Sequence, residues 1–216
     1  MIVIPSPFTS DINELKNYIS QAENLPAGRQ VKVEIFQIDI NDGTFLSNKS
    51  VTPEELQGIT TNLKLDFHLM VDNPTIWIDR CMAVGAARII GQTEYMTNER
   101  DFVEKCQRVG VKMGLALDIN TEISRLDPTI LSDLDVILVM DYPAGMGGQV
   151  FNDLVLPKIK NLVEIRLTFN YKYHICCDGG INEETAAKVK QAGADEITVG
   201  KRLFSGDLAA NIGKLL

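Results

Sequence analysis

The sequence predicts an α/β fold built as a single (β/α)8 TIM barrel. Eight short apolar strand candidates alternate with helical segments along the 216 residues, and such alternation is typical of a parallel sheet covered by helices. A unit in which a helix ends on glycine and an apolar strand follows occurs three times. No Pro- or Ser-rich linker and no shift in composition divides the chain, so we expect one domain over residues 1–216.

Polar capping residues mark the helix starts in the first half of the chain. Thr9 or Ser10 is expected to cap a helix that ends near Ala22. Two later helix starts combine a cap with proline at the first helical position; they are Thr52-Pro53 and Asn73-Pro74. The predicted strands are apolar runs bounded by turn residues, and they cover residues 2–6, 31–40, 63–71 and 88–90.

Glycine marks the helix ends that precede several strands. Gly85, Gly110 and Gly193 each follow a helical segment and suit a left-handed cap, with an apolar strand close behind. The later strands are predicted at 113–117, 136–140, 173–177 and 196–199, with helices near 121–126, from Asn152 or Asp153, and after the cap Asn182. An open doubly wound sheet is the alternative fold, but no Gly-x-Gly-x-x-Gly follows the first strand.

Composition and charge exclude several classes of protein. The net charge of −8 argues against a nucleic-acid-binding surface. The N-terminus has no basic segment, and no apolar run is long enough for a membrane span. The four cysteines form no Cys-x-x-Cys pair and no disulfide framework, which favours a reducing cytoplasm. His174, at a strand start, is expected to be an ordinary surface residue.

Polar residues recur at the predicted carboxyl ends of the strands, where (β/α)8 barrels place their active sites. They are Ser6, Gln37, Asp39, His68, Gln92, Glu94, Asp118, Asp141, Asp178 and Lys201. Such residues in strands of Ile, Leu and Val are costly to bury unless they meet a ligand, a metal or each other. Gln37 and Asp39 share one face of their strand, as do His68 and Met70. The set therefore predicts a functional site.

The stretch from Cys177 to Lys201 predicts an anion site next to a carboxylate. A strand ends on Asp178, and Gly179-Gly180 follow just before a helix start. Glycines at a helix start let backbone N–H groups approach an anion closely. The next strand ends on Gly200-Lys201 and adds a second open backbone and a cation. This layout suits a phosphorylated substrate.

Several ordered motifs together resemble one known family. They are Ile38-Asp39-Ile40-Asn41-Asp42-Gly43, Phe67-His68-Leu69-Met70-Val71, Val139-Met140 with Gly145-Met146-Gly147-Gly148-Gln149, and Asp178-Gly179-Gly180. The chain resembles the ribulose-phosphate 3-epimerases from Pro5-Ser6 to the helix after Gly200. Members are TIM barrels that convert D-ribulose 5-phosphate to D-xylulose 5-phosphate. The resemblance implies a cytoplasmic, metal-binding isomerase of the pentose phosphate pathway.

The resemblance also implies roles for single residues. Asp39 and Asp178 match the pair that removes and returns a proton through an enediolate. The metal-ligand positions, which hold zinc, manganese or a similar divalent cation in the family, fall on Gln37, Asp39, His68 and Asp178. The substrate-binding positions fall on Ser6, His68, Met70, Met140, Gly145, Gly147, Gly148, Gly179, Gly180, Gly200 and Lys201.

Departures from the family pattern cluster in the expected site. Gln37 stands where the family has a histidine ligand, and glutamine is a poorer transition-metal ligand than imidazole. This substitution predicts weak metal occupancy. The other departures are Asn41 for methionine, Gln92 for a frequent histidine, Ala144 for proline, Met146 for an aromatic residue, and Lys201 for serine.

Alternative functions remain beside the epimerase interpretation. The chain could be a sugar-phosphate-binding homologue with weak or no epimerase activity, which Gln37 and Gln92 favour. It could also epimerise a six-carbon ketose phosphate, because Asn41 adds a polar group. A decarboxylase is disfavoured, since Asp39-Ile40-Asn41-Asp42 lacks the lysine of an Asp-x-Lys-x-x-Asp array. A Schiff-base aldolase is disfavoured because Lys201 has a phosphate to neutralise. Neither nucleic acid nor membrane is an expected partner, and a homo-oligomer is left open.

Overall fold

Eight parallel strands form a nearly closed barrel in the computed structural model, which describes residues 1–25, 31–44, 47–143 and 150–216. The strands are β1 (Ile2–Pro5), β2 (Ile35–Asn41), β3 (Lys64–Met70), β4 (Ala86–Gln92), β5 (Lys112–Leu117), β6 (Val136–Met140), β7 (His174–Asp178) and β8 (Glu196–Val199). Their order, β1-β8-β7-β6-β5-β4-β3-β2, is the order of a barrel wall and excludes a doubly wound sheet.

Helices and short 3-10 turns connect the strands. The α-helices are α1 (Ile12–Glu23), α2 (Ile78–Met82), α3 (Glu99–Val109), α4 (Val155–Phe169), α5 (Glu183–Ala192) and α6 (Leu208–Gly213). Asn182 caps α5 as predicted, since its side chain accepts from the N–H groups of Glu184 and Thr185. The predicted cap of α1 is wrong. Asp11 caps it, because the Thr9 hydroxyl is bonded to Glu14 instead.

The strands β1 and β2 are joined differently from the other pairs of neighbouring strands in the barrel. These strands stand at the two ends of the strand order, and no backbone ladder joins them in the described residues. The N–H groups of Ile2 and Ser6 both donate towards β8, so the alternate residue Pro5 faces β2. Proline has no N–H to donate to a ladder. A side-chain hydrogen bond joins the two strands instead. The hydroxyl of Ser6, which follows β1, donates to Asp39 of β2 at 2.7 Å.

Apolar packing forms two layers. The larger cluster lies between the strands and the helices and includes Leu15, Phe67, Phe102 and Ile159. The smaller cluster fills the barrel interior and consists of Met70, Ile90, Ala116, Val136, Leu138, Met140 and Cys176. Neighbouring residues such as Val139 and Met140 belong to different clusters, as the period-two alternation of a strand requires. No helix of the described residues has both the length and the apolar character needed to cross a membrane.

A buried ion cluster occupies the barrel interior at the amino-terminal ends of the strands. Arg88 bonds Asp66 through Nε at 2.8 Å, and its Nη2 lies 2.7 Å from Glu196. His174 lies at the surface as predicted, and its Nδ1 also lies 2.7 Å from Glu196. Burial raises the pKa of Asp66 to about 6. Burial alone would raise the pKa of Glu196, but Arg88 and His174 hold the pKa of that carboxyl below its usual value.

Candidate active site

A cavity of about 660 Å³ opens at the carboxyl ends of the strands, as the fold rule predicts. Its lining contains nine of the predicted site residues, namely Ser6, Asp39, Met70, Met140, Asp178, Gly179, Gly180, Gly200 and Lys201. The predicted phosphate-loop residues Gly145, Gly147 and Gly148 lie outside the described residues, as do Ala144 and Met146. A cavity of this size suits a small phosphorylated molecule.

Two carboxylates and one imidazole meet at the floor of this cavity. His68 Nδ1 lies 3.5 Å from Asp39 Oδ1 and 3.7 Å from Asp178 Oδ2. One ligand atom from each of the three residues falls within 4.8 Å of the others. Asp39 lies two residues before the end of β2 and Asp178 ends β7; these strands are far apart in sequence, and the closure of the barrel brings the two residues together. The His68 ring is fully buried beneath the carboxylates.

Gln92 determines which nitrogen of His68 faces the carboxylates. Its Oε1 lies 2.8 Å from His68 Nε2, and both side chains are fully buried. An amide oxygen can only accept, so Nε2 carries the hydrogen of that bond. In the neutral ring, Nδ1 then directs its lone pair towards Asp39 and Asp178.

Gln37 and Ser6 hold the Asp39 carboxylate. The Gln37 amide nitrogen donates to Asp39 Oδ1 at 2.9 Å, and the Ser6 hydroxyl donates to Oδ2 at 2.7 Å. The oxygen of the Gln37 amide has no hydrogen-bond partner among the described residues. Gln37 therefore presents a donor to Asp39 and would have to turn its amide over to act as the predicted metal ligand.

Burial and mutual charge shift the protonation of this group. Burial, followed by the charge of Asp39, raises the pKa of Asp178. Burial acts to lower the pKa of His68, but the nearby carboxylates of Asp39 and Asp178 outweigh it, and the net shift is upward. Two carboxylates beside one imidazole thus favour a positive charge between them, carried by a proton or by a metal ion.

The residues present fit a divalent metal ion. His68 Nδ1 has no hydrogen-bond partner among the described residues although it is fully enclosed. It faces two carboxylate oxygens at distances that a bound cation could bridge with little movement. One nitrogen and two carboxylates are a common donor set for divalent metals. Asp39, His68 and Asp178 could therefore hold a metal ion.

The two predicted phosphate loops border the cavity. Gly179 and Gly180 have φ values of 114° and 49°, which favour glycine. A Cβ on Gly179 would lie 1.8 Å from Asp141 Oδ1, so the backbone there has no room for a side chain. Burial raises the pKa of Asp141 to about 7. The loop thus has a weakly acidic carboxyl directly behind it.

Lys201 lines the cavity but already has a partner. Its Nζ lies 2.8 Å from both oxygens of Glu14, and this bond with those from Thr9 and Tyr18 lowers the pKa of Glu14 to about 2. Arg202, which also lines the cavity, donates to the carbonyl of Ile181 at 2.6 Å. Both cations are held at the predicted phosphate loops.

The sequence analysis did not identify some residues that line the cavity, and some residues that it singled out lie outside the lining. Phe8, Tyr142 and Arg202 line it and were missed. Tyr142 could have been found, because it follows Met140 by two positions and so continues the interior face. Asn41 is buried, and its Oδ1 accepts from the N–H of Gly43, so it is not part of the cavity lining. Glu94 bonds the N–H of Asp118 and is likewise outside the lining.

Comparisons with known proteins agree with this geometry. A model of the ribulose-phosphate 3 epimerase family matches residues 2–204. A ribulose-phosphate 3-epimerase of Bacillus subtilis (strain 168) is 31% identical over 205 residues, which are 94% of this chain and 91% of the relative. A protein of the same name from Treponema pallidum (strain Nichols) is 32% identical and covers 82% of each chain.

Solved structures support the fold independently. The structure of 3-hexulose-6-phosphate synthase from Salmonella typhimurium superposes with a TM-score of 0.66 at 13% identity, covering 100% of this chain and 96% of that chain. Tryptophan synthase subunit alpha from Campylobacter jejuni gives 0.66 at 14% identity, covering 100% and 95%. These likenesses concern the barrel alone. The family match over nearly the whole chain goes further, and the chain belongs to the ribulose-phosphate 3-epimerase family, whose members are isomerases.

Proposed function

We propose that the protein inverts C3 of a phosphorylated ketose and interconverts D-ribulose 5-phosphate and D-xylulose 5-phosphate. The observation that supports this most directly is the pair of carboxylates, Asp39 and Asp178, which both lie near His68 Nδ1 at the cavity floor. Inversion next to a ketone needs one group to remove a proton and another to return one on the opposite face. The glycine loops and Lys201 at the rim suit the phosphate.

The residues of the cavity have separate roles in the proposed reaction. Asp39, held by Ser6 and Gln37, takes or gives the proton on one face of the substrate, and Asp178 does so on the other. The raised pKa of Asp178 suits a group that must hold a proton in part of the cycle. Met70 and Met140 line the cavity beside the pair and exclude water. A divalent metal bound by Asp39, His68 and Asp178 would stabilise negative charge on the substrate oxygens.

Proton exchange at C3 tests the function. The purified protein is incubated with D-ribulose 5-phosphate in D2O, with and without added Zn²⁺ or Mn²⁺, and the products are followed by proton NMR. We expect formation of xylulose 5-phosphate and incorporation of deuterium at C3. Absence of both under every metal condition would contradict the proposal.

A sugar-phosphate-binding protein is the second candidate, and the orientation of Gln37 favours it. Its amide supplies a hydrogen bond to Asp39 in the place of a ligand histidine. Binding of the ketose phosphate without C3 exchange would support this candidate. The six-carbon alternative rested on Asn41, which is not part of the cavity lining, so the five-carbon ketose phosphate is the first substrate to assay.

Gln37→His is expected to strengthen metal binding. The variant offers a second imidazole beside Asp39, His68 and Asp178, and nitrogen ligands favour zinc more than an amide does. We expect the affinity for Zn²⁺, measured by calorimetric titration of the chelator-treated protein, to rise by about tenfold or more. Gln107→His on the exposed face of α3 is the matched control. A wild-type protein that already holds one zinc ion tightly through Gln37 would contradict the prediction.

Lys201→Ser is expected to weaken substrate binding more than it changes turnover. A lysine at the phosphate loop acts as a point charge on the phosphate, but Glu14 and solvent reduce its effect. We expect the KM for the ketose phosphate to rise about threefold to tenfold, with kcat nearly constant. Lys188→Ser, which removes an exposed lysine paired with Asp153 and Glu184, is the control. An unchanged KM would show that the phosphate lies elsewhere.

A further inference from the structure

Tyr142 lines the active-site cavity two residues after the end of β6. Its ring packs against the interior apolar cluster that contains Met70 and Met140. It also lies against Gly179, because a Cβ on that glycine would come within 2.2 Å of the ring carbon Cε1. The N–H of Asp141 donates to the carbonyl of Asp178 at 2.9 Å. Tyr142 is therefore held beside the end of β7, next to the second carboxylate of the pair.

The hydroxyl of Tyr142 is available to a ligand. It makes no hydrogen bond with the residues of 1–25, 31–44, 47–143 and 150–216, and it is not among the enclosed polar atoms that lack a partner, so it opens on the cavity. Burial and then the charges of Asp178, Asp39 and Asp141 raise the pKa of the phenol above its ordinary value. The hydroxyl accordingly keeps its proton near neutral pH and is a neutral donor.

Most of the other side-chain donors beside the acid/base pair are already engaged. The Ser6 hydroxyl and the Gln37 amide both direct hydrogens at Asp39, and His68 uses Nε2 for Gln92. At the rim, Lys201 is held by Glu14. Tyr142 differs from these residues, because its hydrogen is not committed to a described protein group. The Thr198 hydroxyl beside Asp178 also lacks a partner among the described residues, but it is fully enclosed.

We propose that Tyr142 donates a hydrogen bond to a substrate oxygen close to the reacting carbon. The inference rests on the proposed function, since it assumes that a ketose phosphate occupies the cavity. Removal of a proton next to a ketone moves negative charge onto the neighbouring oxygens, and a donor fixed in position stabilises that charge. A neutral phenol stabilises that charge and adds no charge of its own beside the two carboxylates. Tyr142 is thus a specificity-determining and rate-enhancing residue of this chain.

Tyr142→Phe tests this proposal, because it removes the hydroxyl and keeps the ring that packs on Gly179. Three quantities are measured: kcat with D-ribulose 5-phosphate, and the calorimetric affinities for that ketose phosphate and for inorganic phosphate. We expect kcat to fall about 10- to 100-fold and the ketose phosphate affinity to fall about threefold to tenfold. The affinity for inorganic phosphate should not change. Tyr171→Phe, beyond the end of α4, is the matched control.

The outcomes separate this inference from the proposed function. If the wild type turns over the substrate and Tyr142→Phe matches it in kcat and ketose phosphate affinity, the Tyr142 inference alone is overturned. If the wild type binds the ketose phosphate without turnover and Tyr142→Phe binds it more weakly, the epimerase proposal fails and the contact stands. An equal loss of affinity for inorganic phosphate, or a wild type that does not bind the ketose phosphate, overturns the inference.

Discussion

Asp39→Asn and Asp178→Asn should each lower kcat for epimerisation by roughly two to four orders of magnitude, since each removes one carboxylate of the proposed proton-transfer pair. An amide cannot accept the substrate proton, and in the proposed mechanism each carboxylate serves one face of the ketose. The change is nearly isosteric, so the fold and phosphate binding should persist. A coupled assay for xylulose 5-phosphate gives kcat, and phosphate titration checks binding. Deuterium incorporation at C3 reports proton removal separately from product formation.

Asp133→Asn, an exposed carboxylate outside the cavity, is the control for these variants and should keep wild-type turnover. The metal content of each variant is measured alongside, because Asp39 and Asp178 could both be metal ligands. Near-native turnover in either variant would exclude the two-carboxylate mechanism. Loss of turnover in both, with C3 exchange retained in one, would instead assign the two faces.

Arg88→Met should reduce the free energy of unfolding by about 3–5 kcal/mol, because it leaves buried carboxylates without their cation. Arg88 bonds both Asp66 and Glu196, and all three side chains are less than a tenth exposed. His174 keeps one contact to Glu196, but Asp66 loses the cation that it contacts in the cluster. Urea unfolding followed by circular dichroism measures the change.

Arg108→Met is the matched control for this substitution. Arg108 is 67% exposed and lies 4.0 Å from Glu104 on α3, so its loss should change the free energy of unfolding by less than about 1 kcal/mol. A triple variant with Arg88→Met, Asp66→Leu and Glu196→Leu should recover much of the stability, since apolar replacement of a buried ion cluster is often tolerated. An Arg88→Met protein as stable as the Arg108→Met control would show that the cluster contributes little.

The sequence predicted strands best where apolar runs are short and bounded. Residues 136–140 and 196–199 were predicted with the bounds that β6 and β8 have. The start of β2 was predicted four residues early, because Val31 and Val33 alternate with polar residues like a strand. The ladder begins only at Ile35, which pairs with Lys64, the first residue of β3. Alternation cannot reveal where the partner strand begins.

The site was predictable in its chemistry but not in its pairings. Strand-end patterns and the family resemblance indicated Asp39, His68 and Asp178, and the barrel brings them together. The Glu14–Lys201 contact joins residues 187 positions apart, and no local pattern predicts it. The direction of the Gln37 amide depends on Ser6 and Asp39 together. Such contacts arise from closure of the barrel and are absent from any single segment.

The junction of β1 and β2 has a consequence for thermal motion. Hydrogen-bonded ladders join the seven other neighbouring pairs of strands, whereas Ser6 and Gln37 join this pair through side chains. Local opening requires the least free energy where the fewest backbone hydrogen bonds must break. The barrel wall should therefore open first beside Asp39, and such opening would displace one carboxylate of the proposed proton-transfer pair.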